Sequence, residues 1–228
     1  MAAKKSTKKI KVDKEDAKKR VTKILPILKK EYPRAKTALE FGSPLQLLIS
    51  TILSAQCTDV RVNVVAKEIY KKYKDAADWA GADVKEIEND IKSTGFYRNK
   101  AKNIKAACEQ ILSDYNGKVP ATMDELLKLP GVGRKTANCV IGNAYGQPAI
   151  TCDTHVIRLS RRLGLSENTN NPDKLEFDLR DIVPEKEWTI FSNSIIQHGR
   201  KVCIARKPDC PNCKIGEYCP AANKPELW

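Results

Sequence analysis

The chain has 228 residues, 41% of them hydrophobic, and a formal net charge of +13. No apolar run reaches the roughly 18–20 residues that cross a bilayer, and the opening Met1-Ala-Ala-Lys-Lys-Ser-Thr has no apolar core of a secretory signal, so neither a membrane span nor export is expected. Residues 1–20 hold nine Lys or Arg and three acids, a net +6 that leaves +7 on the rest of the chain. Positive excess on a folded body favours a polyanion such as nucleic acid; a merely solubilising surface is the other reading. The Lys-rich start, followed by Asp13, Glu15 and Asp16, matches a mitochondrial transit peptide poorly.

Residues 1–12 are polar, Lys-rich and without periodicity, which predicts a disordered basic tail. From Asp13 onward the pattern is helical. Val21, Ile24, Leu25 and Leu28 recur at helix spacing until Tyr32-Pro33 ends the run. Ser43-Pro44 supplies an N-cap and a first-turn proline for the next helix. Its Leu45, Leu47, Leu48, Ile49, Ile52 and Leu53 are apolar nearly all round, which predicts burial, with Gln56 at its end. Further helices fit Asp59–Tyr73, Val84–Ile91 and Arg98–Tyr115, the last closed by Asn116-Gly117. Residues 122–145 read as helix, tight turn, helix; 153–163 and Glu187–His198 complete the set. No strand pair stands out. The expectation is an all-α protein of about ten helices.

The turn is Leu129-Pro-Gly-Val-Gly-Arg-Lys-Thr-Ala137. Thr122 can cap the helix before it, and Pro130 stops that helix. Gly131 and Gly133 allow a sharp turn and close approach to another molecule. The next helix starts with free backbone N–H groups, suited to an anion such as phosphate. Such a contact holds DNA without reading its sequence. A plain helix–helix turn remains the alternative from spacing alone. A P-loop is a poor match because Arg134 intervenes before Lys135-Thr136, and a dinucleotide fingerprint lacks its strand and third glycine.

Residues 129–137 resemble the helix–hairpin–helix of the endonuclease III family of DNA glycosylases. Leu53-Ser-Ala-Gln-Cys-Thr-Asp59, Ser93-Thr-Gly-Phe-Tyr-Arg-Asn-Lys100 and Cys152-Asp-Thr-His155 are similar to other segments of that family, in the same order. The resemblance runs from about Asp13 to Cys219. It implies a two-lobed, all-α helix–hairpin–helix glycosylase fold with an iron–sulphur cluster loop and DNA held in the cleft between the lobes. One lobe is a six-helix barrel over residues 37–147; the other combines 13–36 with 148–228. The implied activity is bifunctional. The enzyme removes oxidised pyrimidines from duplex DNA and then cuts 3′ to the abasic site by β-elimination through a lysine Schiff base.

On that resemblance Lys135 is the nucleophile and Asp153 the catalytic carboxylate. Lys135 begins a helix, follows Arg134 and is expected to be partly desolvated in a cleft, each of which disfavours its ammonium form. Asp153 also fits an N-cap position before Thr154–Leu163. His155 and His198 are expected to be packed rather than catalytic. A base must leave the stack to be excised. The resemblance gives Gln56 the orphaned partner base and Phe96, where the family often has Leu, the wedge into the stack. Gly131, Val132, Gly133, Arg134 and Thr136 are the expected phosphate contacts.

Eight cysteines occur, four of them as Cys203-x6-Cys210-x2-Cys213-x5-Cys219. Without an export signal they read as a metal or cofactor site rather than disulfides. Structural zinc also takes four cysteines, and spacing does not exclude it. The longer gaps suit a bulkier cubane, and the segment resembles the family's 4Fe–4S loop. Cys152 stands beside Asp153 as a small hydrophobe or, less simply, as a reactive thiol. The expected partner is double-stranded DNA with damaged bases or abasic sites, bound by a monomer away from membranes. The expected location is cytoplasmic and nucleoid-associated for a bacterial source, nuclear or mitochondrial for a eukaryotic one. The rival readings are a monofunctional glycosylase and a non-catalytic or redox-sensing DNA-binding protein with a metal-stabilised loop.

Overall fold

The computed structural model describes residues 10–228, and among them there are eleven α-helices, four short 3-10 turns and no strand. The chain divides into two compact units, one of residues up to 36 with 148–228 and one of Thr37–Gln147. No helix among the described residues is long and apolar enough to cross a membrane.

The unit of residues 37–147 is built on α2 (Pro44–Leu53), capped by Ser43, whose side chain accepts from the Gln46 N–H. Every residue of α2 from Leu47 to Leu53 is buried, as its all-round apolar pattern requires. Around it run α3 (Asp59–Lys72), α4 (Ala76–Gly81), α5 (Val84–Asp90), α6 (Tyr97–Tyr115), α7 (Met123–Leu126) and α8 (Arg134–Ala144). Trp79 of α4 is fully buried and stacks on Tyr73 with ring centroids 4.2 Å apart. The closure of α6 follows the sequence: Asn116 and Gly117 both have positive φ, 51° and 76°, and the Gly117 N–H bonds back to the Ile111 carbonyl.

The other unit packs α1 (Lys14–Glu31) against α10 (Pro172–Ile182) and α11 (Trp188–Lys201), with α9 (Thr154–Arg162) against α11. Val21, Ile24, Leu25 and Leu28 of α1 are buried with Val156, Leu159, Leu175, Leu179, Phe191 and Ile195. Gly199 of α11 permits the close approach of α9: a Cβ there would stand 2.9 Å from His155 Nδ1.

Three expectations from sequence are corrected. The buried helix ends at Leu53, not Gln56, and Gln56 lies beyond it in left-handed backbone at φ 54°. The tail does not extend to residue 12: the Val12 N–H bonds to Glu167 Oε1 at 3.1 Å, and Val12 packs on the core of this unit. Residues 1–9 of the expected basic tail lie outside the described residues. Finally, α4 and α10 are elements the periodicity reading passed over.

Candidate functional site

In the unit of residues 37–147, one open pocket of about 230 Å³ gathers four of the residues singled out from sequence: Gln56, Phe96, Gly131 and Thr136. They come from segments 40 and 35 residues apart, the turn after α2, the start of α6 and the hairpin. Thr51, Asn99, Lys100 and Asn103 line the same pocket and were not anticipated. Gln56 is exposed, and Phe96 is 63% exposed, an unusual setting for a large aromatic. Both sit in left-handed backbone, Gln56 at φ 54° and Phe96 at φ 49°, a conformation that non-glycine residues rarely hold without cost. Gly95 precedes Phe96 with φ 69°, so the backbone here turns sharply and presents the ring outward.

The hairpin joins α7 to α8. Thr122 Oγ1 caps α7 by accepting from the Glu125 N–H and itself donates to Glu125 Oε2. Gly131 has φ 77°, and a Cβ there would come within 2.8 Å of Asn103 Cβ, so only glycine fits. Gly133 occupies the N-cap of α8, and no side chain caps that helix. Its N-terminus is therefore left to an anion or solvent. Gly131 and Gly133 are exposed, while the side chains of Val132 and Thr136 are 8% and 9% exposed and pack inward. Lys135 is exposed in the first turn of α8, so the partial desolvation expected from sequence is absent from the free protein. From Thr136 to Gly142 the helix is buried, which fixes the direction of its first turn.

In the other unit Asp153 is the N-cap of α9, and its Oδ1 accepts from the N–H groups of His155 at 2.8 Å and Val156 at 2.9 Å. The carboxylate is thereby held in one orientation and only partly buried. Cys152 is 7% exposed, and burial pushes its thiol up to about 12, so it is a packed hydrophobe and not a reactive thiol. His155 Nδ1 lies 3.0 Å from Arg158 Nη2. An arginine donates only, so this nitrogen can meet it only as an acceptor. Burial, opposed by Asp153 and reinforced by Arg158 and Arg200, holds His155 below the ordinary histidine range. His198 lies between Tyr32 Oη, 3.0 Å from Nδ1, and Cys213 Sγ, 3.4 Å from Nε2, and burial pushes it down to about 4. Both histidines are hydrogen-bonded within this unit.

Cys203, Cys210, Cys213 and Cys219 line one pocket, and all four are free thiols. Two arginines of α9, not anticipated from sequence, fasten this loop. Arg158 donates to the Gly199 and Cys203 carbonyls, and Arg162 donates to Cys203 Sγ at 3.2 Å and to the Ile204 and Ala205 carbonyls. Burial pushes the Cys213 thiol up to about 11 and raises that of Cys219. Among the described residues no three His, Cys, Asp or Glu side chains are arranged around a single metal ion.

Residues 49–185 match the family described as HhH-GPD superfamily base excision DNA repair protein. Endonuclease III of Synechocystis sp. is 53% identical over 206 residues, spanning 90% of this chain and 94% of that protein. A solved non-covalent endonuclease III–DNA complex is similar with a TM-score of 0.86 at 43% identity, over 91% of this chain and 97% of that one. A trapped endonuclease III–DNA covalent intermediate, an estranged-adenine complex, is similar with a TM-score of 0.87 at 43% identity over the same shares.

Proposed function

The chain belongs to the endonuclease III family, within the HhH-GPD superfamily of base excision DNA repair proteins, and from that premise we propose the substrates, residues and cofactor through which it works. It is a bifunctional DNA glycosylase and lyase. Its substrates are duplex DNA with oxidised pyrimidines, and abasic sites.

The observation that carries the assignment of the nucleophile is the exposed Lys135 in the first turn of an uncapped helix, directly after a two-glycine hairpin. The hairpin backbone, with Arg134, holds phosphate and brings the amine to the sugar. DNA covering Lys135 excludes the water that surrounds the amine in the free protein. The amine attacks C1′, the N-glycosidic bond breaks, and the base leaves with the electron pair and a proton. Loss of a C2′ proton from the resulting Schiff base then expels the 3′ phosphate. Asp153, held by its capping bonds, stabilises positive charge developing on the sugar. Gln56 meets the orphaned base and Phe96 wedges into the stack.

Cys203, Cys210, Cys213 and Cys219 hold a 4Fe–4S cluster. Four free thiols lining one pocket are a donor set that fits such a cluster. When bound, the cluster would supply positive charge to the four sulphurs and would knit the loop.

The test is borohydride trapping on a duplex with one abasic site. Wild type should form a covalent adduct that Lys135→Ala does not. No adduct in wild type that still binds DNA would remove the lyase assignment; an adduct persisting in Lys135→Ala would move the nucleophile elsewhere.

A further inference from the structure

The segment Ser93–Lys100 ends in a lysine that the proposed chemistry leaves without a role. Lys100 is only 4% exposed, deep for a cation. Its Nζ donates to the Leu53 carbonyl at 2.7 Å and to the Thr94 carbonyl at 2.9 Å. Leu53 is the last residue of α2, and Thr94 is the last residue of the 3-10 turn Lys92–Thr94. An ammonium at two helical C-termini sits where aligned carbonyls concentrate negative charge, which is why this burial is tolerated. Burial lowers its basicity, with Cys57 opposing.

The position of the two carbonyls gives the lysine its meaning. Three residues after Leu53 stands Gln56, and two residues after Thr94 stands Phe96. Both carry left-handed backbone. Such conformations persist only where the surroundings over-determine them. The Lys100 backbone N–H also bonds to the Phe96 carbonyl at 3.2 Å. One residue therefore ties the root of the Gln56 turn, the root of the Phe96 turn and Phe96 itself.

We propose that Lys100 is a positioning residue for base extrusion, clamping the Gln56 and Phe96 turns into a single rigid element that enters the duplex together. This rests on the roles given above to Gln56 and Phe96. Two loops fixed to one ammonium present their side chains at a set separation, so the cost of ordering them is met before DNA binds. Released from the clamp, each turn samples other backbone conformations, and filling the gap no longer accompanies wedging. The chemical step at Lys135 needs neither.

The experiment compares two substrates. The first is a duplex with an oxidised pyrimidine and a neighbouring 2-aminopurine, whose fluorescence rise reports unstacking. The second is a single-stranded oligonucleotide with an abasic site, which needs no extrusion and is followed by borohydride trapping. Lys100→Met and Lys100→Gln should slow extrusion on the duplex roughly tenfold more than they slow trapping on the single strand. Equal loss on both substrates, as from general misfolding, or loss on neither, overturns the proposal. Lys100→Gln keeps a neutral N–H donor group on a shorter side chain and carries the comparison where Lys100→Met folds poorly. Gln56→Ala and Phe96→Ala are measured beside them. Extrusion at the wild-type rate in both means that the roles of these two turns are wrong. Slow extrusion in both, with normal extrusion in the Lys100 variants, means that only the clamp is wrong.

Discussion

Asp153 combines two functions that substitution can separate. As N-cap of α9 it accepts from two backbone N–H groups, at 2.8 and 2.9 Å. As a carboxylate it is proposed to steady charge on the sugar. Asn makes the same cap with a neutral oxygen, whereas Ala makes none. Losing a cap costs about 1–2 kcal/mol. In a chain of this size each kcal/mol moves the melting temperature by about 2–4 °C, so Asp153→Ala should melt roughly 2–8 °C lower. Asp153→Asn forfeits only the attraction of a charge to the helix N-terminus, a few tenths of a kcal/mol, and should melt within about 1 °C of wild type. Both should lose glycosylase activity by about 10²–10⁴. The assay pairs thermal melts with single-turnover excision well below both melting temperatures. Asp153→Asn within about tenfold of wild-type activity would refute the chemical role. Equal melting of the Asn and Ala variants would refute the capping role.

Four further outcomes follow from the geometry. Gly131→Ala should destabilise by more than about 1 kcal/mol in urea melts, because a positive φ and contact with Asn103 both oppose a Cβ. Gly133→Ala meets no atom within 4 Å and should be milder in stability yet bind duplex DNA roughly tenfold more weakly, because its Cβ stands where phosphate approaches. Cys213→Ser should lose iron and labile sulphide together with the visible absorption of the protein, whereas stoichiometric zinc in wild type by elemental analysis would replace the cluster assignment. His155 is held below its ordinary value, chiefly by burial. The unfolded chain therefore takes up its proton first, so the stability this ring contributes is complete above about pH 6.5 and declines as pH falls below it. Denaturation midpoints at pH 7.5 and 5.5 should differ more in wild type than in His155→Asn.

Local chemistry made much of the fold readable. Ser43-Pro44 caps α2 as written, Asn116-Gly117 closes α6 in left-handed backbone, and the four cysteines share one pocket. Asn171-Pro172 carries the same signal as Ser43-Pro44 and does cap α10, with Leu175, Leu179 and Ile182 buried behind it. That helix was legible and was passed over. The extent of the basic tail was misjudged because a single backbone bond to Glu167, 155 residues away, decides it. The exposure of Lys135 was equally hidden, since it depends on which face of α8 is buried in its unit.

The residues that sequence placed least well are also those whose backbone is least ordinary. Gln56 looked like the last turn of a helix, and Phe96 was expected only as a wedge, with no expectation for its backbone; both prove to be left-handed and exposed. Neither conformation follows from local preference, since neither residue is glycine or asparagine. They are imposed from elsewhere, and Lys100 donates to both roots, to Leu53 across 47 residues and to Thr94. A chain selected only for stability would place glycine at such positions, or continue the helix. Keeping Gln and Phe there, with a buried ammonium beneath them, makes sense if what the positions offer is the side chains themselves, held clear of the surface and ready for a duplex.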